Sequence, residues 1–191
     1  MLRDMANLGV PVLLLSGGEP LYRDDIFRLV RYAHSLGIRA TLSTNGTLIG
    51  PRVAQIIKES GFSYVGISMD GIGAVHDKFR GKIGAFDAAL EGIRNCIAAG
   101  QRVGLRLTLT RRTVDSLSAI FDLVESVGID RVCFYHLVYS GRGRRISGET
   151  LSHDESRAAV SYIFERAIDF QERGLDKEIL TVDNHADAAY L

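Results

Sequence analysis

Apolar positions along the chain fall into two rhythms. Short apolar runs at Val12–Leu15, 38–43, 64–67, Val103–Leu109, 131–137 and Glu178–Val182 have the length and composition of strands. Between them apolar residues recur every three to four positions, as in Ile26, Leu29, Val30, Ala33 and Leu36, or Leu90, Ile93 and Ile97. That spacing predicts helices over 26–36, around Val53, Ile56 and Ile57, over 86–99, Leu117–Val127 and 154–173, with the tail of another at 2–8. Asp24 is placed to cap the helix at 26–36, and Gly37, Gly61, Gly100 and Gly128 to close helices. Strands alternating with helices predict stacked right-handed βαβ units in an α/β fold. Five or six units suit an open or partial (β/α)6 barrel better than a closed eight-fold one. Val12–Leu15 reads as a strand buried on both faces. In Val103–Leu109 the leucines point one way, Arg106 and Thr108 the other.

Ligands of parallel sheets lie beyond the carboxyl ends of the strands. Those ends read Ser16-Gly17-Gly18-Glu19-Pro20, Ser43-Thr44-Asn45-Gly46, Ser68-Met69-Asp70-Gly71, Thr108 and Thr110 beside Arg106, and Tyr135-His136. Gly17 and Gly18 let backbone groups approach a ligand closely, and Glu19 sets a carboxylate at the same spot. Two carboxylates, several hydroxyls, an amide and a guanidinium fit a zwitterionic ligand that carries a ribose. Each piece also has a plain structural reading: tight turns at Gly17-Gly18, Asn45-Gly46 and Asp70-Gly71. Arg106 demands more, because a buried guanidinium needs a partner. Tyr135 and His136 are the candidate catalytic residues, but neighbours on a strand face opposite ways, so at most one faces the interior. His136 fits a core position equally well. His34, His76 and His153 read as surface or capping residues.

Composition narrows the class without choosing within it. Lys+Arg and Asp+Glu balance at 23 each, so the global charge favours no nucleic-acid partner. No apolar run is long enough to span a membrane, and residues 1–9 lack a signal-peptide core, so a cytoplasmic location is expected. Cys96 sits in a helical pattern and Cys133 in a strand, which makes both core residues and writes neither a disulfide framework nor a cysteine metal site. Arg80, Lys82, Arg111, Arg112, Arg142, Arg144 and Arg145 follow strand ends. They are either solvated loop residues or a basic collar for a substrate with several carboxylates. His185, between Asp183 and Asp187, is a candidate for substrate or metal binding, or part of a polar loop.

The order Ser-Gly-Gly-Glu-Pro, Ser-Thr-Asn-Gly, Ile-Ser-Met-Asp-Gly and an Arg-bearing strand resembles the radical S-adenosylmethionine (SAM) superfamily, over most of the 191 residues. The resemblance implies strands two to six of a partial (β/α)6 barrel, with strand one missing and 1–191 an incomplete core domain. It also implies that Gly17, Gly18, Glu19 and Pro20 hold the methionine ammonium, that Ser68 and Arg106 take its carboxylate, and that Thr44, Asn45 and Asp70 line the pocket. Backbone near Leu137 and Val138 would meet adenine. The family's cluster loop, Cys-x3-Cys-x2-Cys, is absent, and Cys96 and Cys133 stand on the wrong elements for a [4Fe-4S] cluster. The chain therefore reads as a fragment, inactive alone. Residues 132–143 and 181–187 are similar to the haem d1 and alternative haem pathway enzymes of the superfamily, which act on propionates of a sirohaem-derived tetrapyrrole and carry a C-terminal cluster domain. That similarity implies a tetrapyrrole substrate, met by Arg111, Arg142, Arg144 and His185, and an electron donor as partner. The rivals are a peptide- or cofactor-maturing relative and a cluster-free SAM-binding module.

Overall fold

The computed structural model describes residues 1–184, 186 and 187, and of Arg142 the backbone only. Strands and helices alternate: α1 Leu2–Asn7, β1 Val12–Leu15, α2 Ile26–Ser35, β2 Arg39–Thr44, α3 Pro51–Glu59, β3 Phe62–Ser68, α4 Ala74–Arg80, α5 Ala85–Ala98, β4 Val103–Leu109, α6 Leu117–Val127, β5 Arg131–His136, α7 His153–Glu172 and β6 Glu178–Val182. The six strands take their places in the sheet in chain order. The pairs β1 with β2, β2 with β3, and β5 with β6 are parallel, as βαβ connections require. Every run expected as a strand is one.

The chain divides into two compact units. The first comprises Met1–Ser68 and Asp87–Gly104, hence β1 to β3, α1 to α3 and most of α5. Ile26, Val30 and Ala33 of α2 pack inward with Ala40 and Leu42 of β2, Ala54 and Ile57 of α3, and Val65 and Ile67 of β3. The second comprises Met69–Phe86 and Leu105–Leu191, hence α4, most of β4, β5, β6, α6 and α7. Its core gathers Phe121 of α6, Phe134 of β5 and Phe170 of α7, all fully buried, with ring centroids 5.4 and 5.9 Å from Phe121. Cys96 and Cys133 are buried core residues as expected.

Four expectations are corrected. Val12 and Leu14, which share one face of β1, are 40% and 49% exposed. Their exposure shows that this face of β1 is not packed over among the described residues. Asp25, not Asp24, stands at the start of α2, and its carboxylate caps no backbone amide because it pairs with Arg23 at 2.5 Å. The polar stretch before Arg80 is the helix α4, too short to show a period in sequence, closed by Gly81 at φ 68°. The stretch 140–148, read as a loop, winds into short 3-10 turns over Gly141–Glu149 with a kink at Ile146.

Candidate functional site

In the first unit the strand ends converge on Glu19. Its Oε1 accepts from the Leu21 N–H at 3.1 Å and from the Thr44 hydroxyl at 2.7 Å, and its Oε2 accepts from the Asn45 N–H at 2.8 Å. All three donors are uncharged, so the carboxylate is oriented by neutral groups. Thr44 is 3% exposed, and its Oγ1 also receives the Gly46 N–H. The Asn45 side chain turns back onto its own loop, where Oδ1 accepts from the Thr47 N–H and hydroxyl at 2.9 and 2.7 Å. This is an Asx turn, so that amide shapes the loop and leaves the backbone to do the binding. Pro20 begins the 3-10 turn Pro20–Tyr22 that brings the Leu21 N–H to Glu19.

Glycines make the arrangement possible. Gly17 has φ 136°, which L side chains rarely adopt, and a Cβ at Gly17 or Gly18 would have open space around it. The chain there is an exposed cradle of backbone. A Cβ on Gly92 of α5, in contrast, would sit 2.3 Å from the Gly46 carbonyl oxygen, so the helix presses directly on the turn that feeds Glu19. Sequence reading missed Gly92 because a glycine inside an amphipathic helix looks like a tolerated interruption. Ser68, at the end of β3, is half-buried.

In the second unit the corresponding carboxylate, Asp70, is 2% exposed. Its Oδ1 accepts from the Thr108 N–H at 3.0 Å, and its Oδ2 is ion-paired and hydrogen-bonded to Arg80 of α4. The Asp70 N–H donates to Nδ1 of His76 at 3.0 Å. His76 is 1% exposed, so the expectation of a surface residue is corrected. Burial lowers its pKa first, and the nearby Arg80 cation adds to that. Thr110 and Thr113 close the turn after β4, where the Thr113 hydroxyl donates to the Thr108 carbonyl at 2.6 Å.

Arg106 is held differently. Its guanidinium carbon lies 4.7 Å from the centroid of the Tyr135 ring on β5, and no carboxylate among the described residues pairs with it. Burial pushes the Tyr135 hydroxyl pKa up, against the pull of Arg106. His136, the next residue, bonds elsewhere: Nε2 meets Asp187 Oδ2 at 2.8 Å, and Asn184 Nδ2 donates to Asp187 Oδ1 at 2.9 Å. Tyr135 and His136 thus serve two separate partners, as strand alternation requires. Asp187 and Asn184 were visible in sequence only as polar residues around His185, which itself lies outside the described residues. Leu137 is half-buried and Val138 exposed, and the Val138 carbonyl abuts Gly143, where a Cβ would come within 2.1 Å.

Three of the seven cations of the basic collar are paired. Arg80 is committed to Asp70, Arg111 pairs with Glu155 at 3.3 Å, and Arg112 pairs with Glu149 at 2.6 Å. Arg144 and Arg145 remain exposed, and the Arg142 side chain lies outside what is described. Among the described residues no group of three His, Cys, Asp or Glu side chains could hold a metal ion, and no helix is long and apolar enough to cross a membrane. Burial drives the Cys96 thiol up to about 12 and raises Cys133 as well, as for inert core thiols.

Parallel strands alternating with helices define an α/β protein whose strand ends carry polar and charged groups. The chain belongs to the radical SAM superfamily, whose family model matches residues 1–124. It is 53% identical over its whole length to an Fe-coproporphyrin III synthase of Methanosarcina barkeri, 48% of which it covers. It is 46% identical over 99% of its length to a pre-heme d1 synthase of Dinoroseobacter shibae, 47% of which it covers. The chain thus spans about half the length of these curated relatives. Among solved structures, the Streptococcus suis enzyme SuiB bound to its precursor peptide SuiA superposes with a TM-score of 0.80 at 20% identity, covering 99% of this chain and 42% of that one. Coproporphyrinogen III oxidase of Escherichia coli follows with 0.64 at 12%, covering 95% and 54%. At those identities the likeness is one of fold.

Proposed function

We propose that this chain is the SAM-binding part of a radical SAM enzyme that modifies the acidic side chains of a sirohaem-derived tetrapyrrole in haem or haem d1 biosynthesis. The observation that carries the SAM reading is the family match over residues 1–124. Each unit offers a fitting group: Glu19 is fixed by neutral donors, and Arg106 lies against Tyr135 with no carboxylate partner among the described residues. An amino-acid moiety offers an ammonium to the first and a carboxylate to the second. Gly17 and Gly18 give the ammonium backbone carbonyls at close range, and Ser68 adds a hydroxyl for the carboxylate. Thr44 and Asn45 hold Glu19 in place, Asp70 shapes the strand end through Thr108 and Arg80, and the backbone at Leu137 and Val138 is assigned to adenine.

Held by these residues, SAM would supply radical chemistry toward a substrate C–H bond once reduced through a [4Fe-4S] cluster. The residues in hand fit SAM and do not fit the cluster, whose thiolates are not among these 191. The work of this chain is accordingly to bind, orient and shield. The tetrapyrrole reading rests on the two relatives above, with Arg144 and Arg145 as the exposed cations for substrate carboxylates, and with Arg111, Arg142 and His185 as further candidates. Tyr135 is assigned to the cofactor side, and His136 remains the candidate toward substrate. An electron donor is the partner the reaction requires.

Calorimetry on the full-length protein tests the SAM assignment. Arg106→Ala is expected to weaken SAM binding about tenfold to a hundredfold, the worth of a hydrogen bond to a charged group. Unchanged affinity would remove Arg106 from the site. Release of 5′-deoxyadenosine with a sirohaem-derived tetrapyrrole, and none with peptides, tests the substrate class.

A further inference from the structure

Two arginines of the second unit come from neighbouring stretches of chain and are held by opposite means. Arg80 is bound to the buried carboxylate of Asp70, which neutralises it. Arg106 lies against the Tyr135 ring, with its guanidinium carbon 4.7 Å from the centroid, and pairs with no carboxylate among the described residues. A π face attracts a cation without cancelling its charge and without occupying the N–H groups that face away from the ring. A long arginine left unheld would surrender rotamer freedom on meeting its ligand, whereas one already placed gives up less.

We infer that Tyr135 is the positioning residue for Arg106, and that its ring prepares the guanidinium to receive the carboxylate of the bound cofactor. The inference rests on the assignment of Arg106 to that carboxylate and adds to it a residue that touches Arg106 rather than the ligand. Strand register supports it: Tyr135 belongs to β5, and its neighbour His136 turns to Asp187, so the two are not interchangeable. The Tyr135 hydroxyl also interacts with Arg106, and the variants below separate its part from that of the ring.

The test uses the full-length protein and measures the dissociation constants of SAM and of decarboxylated SAM, which lacks the carboxylate. Tyr135→Phe is expected to bind SAM within about twofold of the wild type, and Tyr135→Leu about threefold to tenfold more weakly, the range of a partly exposed cation–π contact. Decarboxylated SAM should bind equally to all three. In the Arg106→Ala background, Tyr135→Leu should have no further effect, since the two residues act as one unit. Equal weakening of both ligands by Tyr135→Leu, or none for SAM, overturns the inference. An Arg106→Ala variant with unchanged SAM affinity overturns the assignment beneath it instead. Should Tyr135→Leu fold poorly, tetrafluorinated or pentafluorinated phenylalanine at position 135 keeps the ring's shape and removes its negative face. SAM affinity falling with fluorination supports the inference, and an affinity flat across the series overturns it.

Discussion

Glu19 and Asp70 look alike in sequence, each an acid beside glycine at the end of an apolar strand, yet the two units treat them in opposite ways. Glu19 is half-buried and accepts from two backbone amides and one hydroxyl, none of them charged. Asp70 is fully buried, paired with Arg80 and capped by the Thr108 amide. The first carboxylate is oriented by neutral donors, as the proposed ammonium contact requires. The second is paired within its own chain and serves to pin α4 to the start of the loop after β3. The partners of a strand-end carboxylate, not its place in sequence, separate the two.

The comparison is broken most forcefully at Arg80. Arg80→Ala leaves the Asp70 carboxylate buried and unpaired, with an expected loss of about 3 kcal/mol, and adding Asp70→Asn should recover part of it. Urea unfolding of the single and double variants measures this; a single variant as stable as the wild type would mean that Asp70 needs no countercharge. Gly92→Ala is next, at about 2 kcal/mol, because its Cβ would collide with the Gly46 carbonyl and displace the turn that orients Glu19. Its SAM affinity should fall together with its midpoint. Glu19→Gln is expected to reverse the balance, costing under about 1 kcal/mol in stability while weakening SAM about tenfold or more. Equal effects of Glu19→Gln and Asp70→Asn on ligand binding would erase the distinction between the two acids.

The smallest effect is a pH dependence of the second unit. His76 has its pKa lowered in the fold, so below the unfolded value near 6.5 the unfolded chain binds more protons than the native one. Stability conferred by neutral His76 is complete above that value and declines as pH falls below it toward the depressed native value. Thermal melts between pH 5 and 7.5 should show that the wild type's advantage over His76→Gln shrinks toward the acid side. A constant difference would place the titration elsewhere.

The alternation of strands and helices, the glycines closing them, the core places of Cys96 and Cys133 and the strand ends that carry polar groups could all be read from local pattern, because hydrophobic period and glycine geometry act within a few residues. The short helix α4 was not legible, since seven residues give too few turns for a period to show. Nor was the burial of His76, which follows from α4 folding onto Asp70, or the exposure of Val12 and Leu14, which depends on what packs over that face of β1.

By itself the sequence determined which residue types stand at the ligand end of the sheet, and through their order it identified the family. Only the tertiary structure decided which charges remain available. Along the chain Arg80, Arg111 and Arg112 followed strand ends while Arg106 stood within a strand, and only the fold showed that the first three meet acids, at Asp70, Glu155 and Glu149, and that Arg106 lies against a ring. Charge at a site is a matter of pairing, and pairing is settled by contacts between elements that local pattern does not encode.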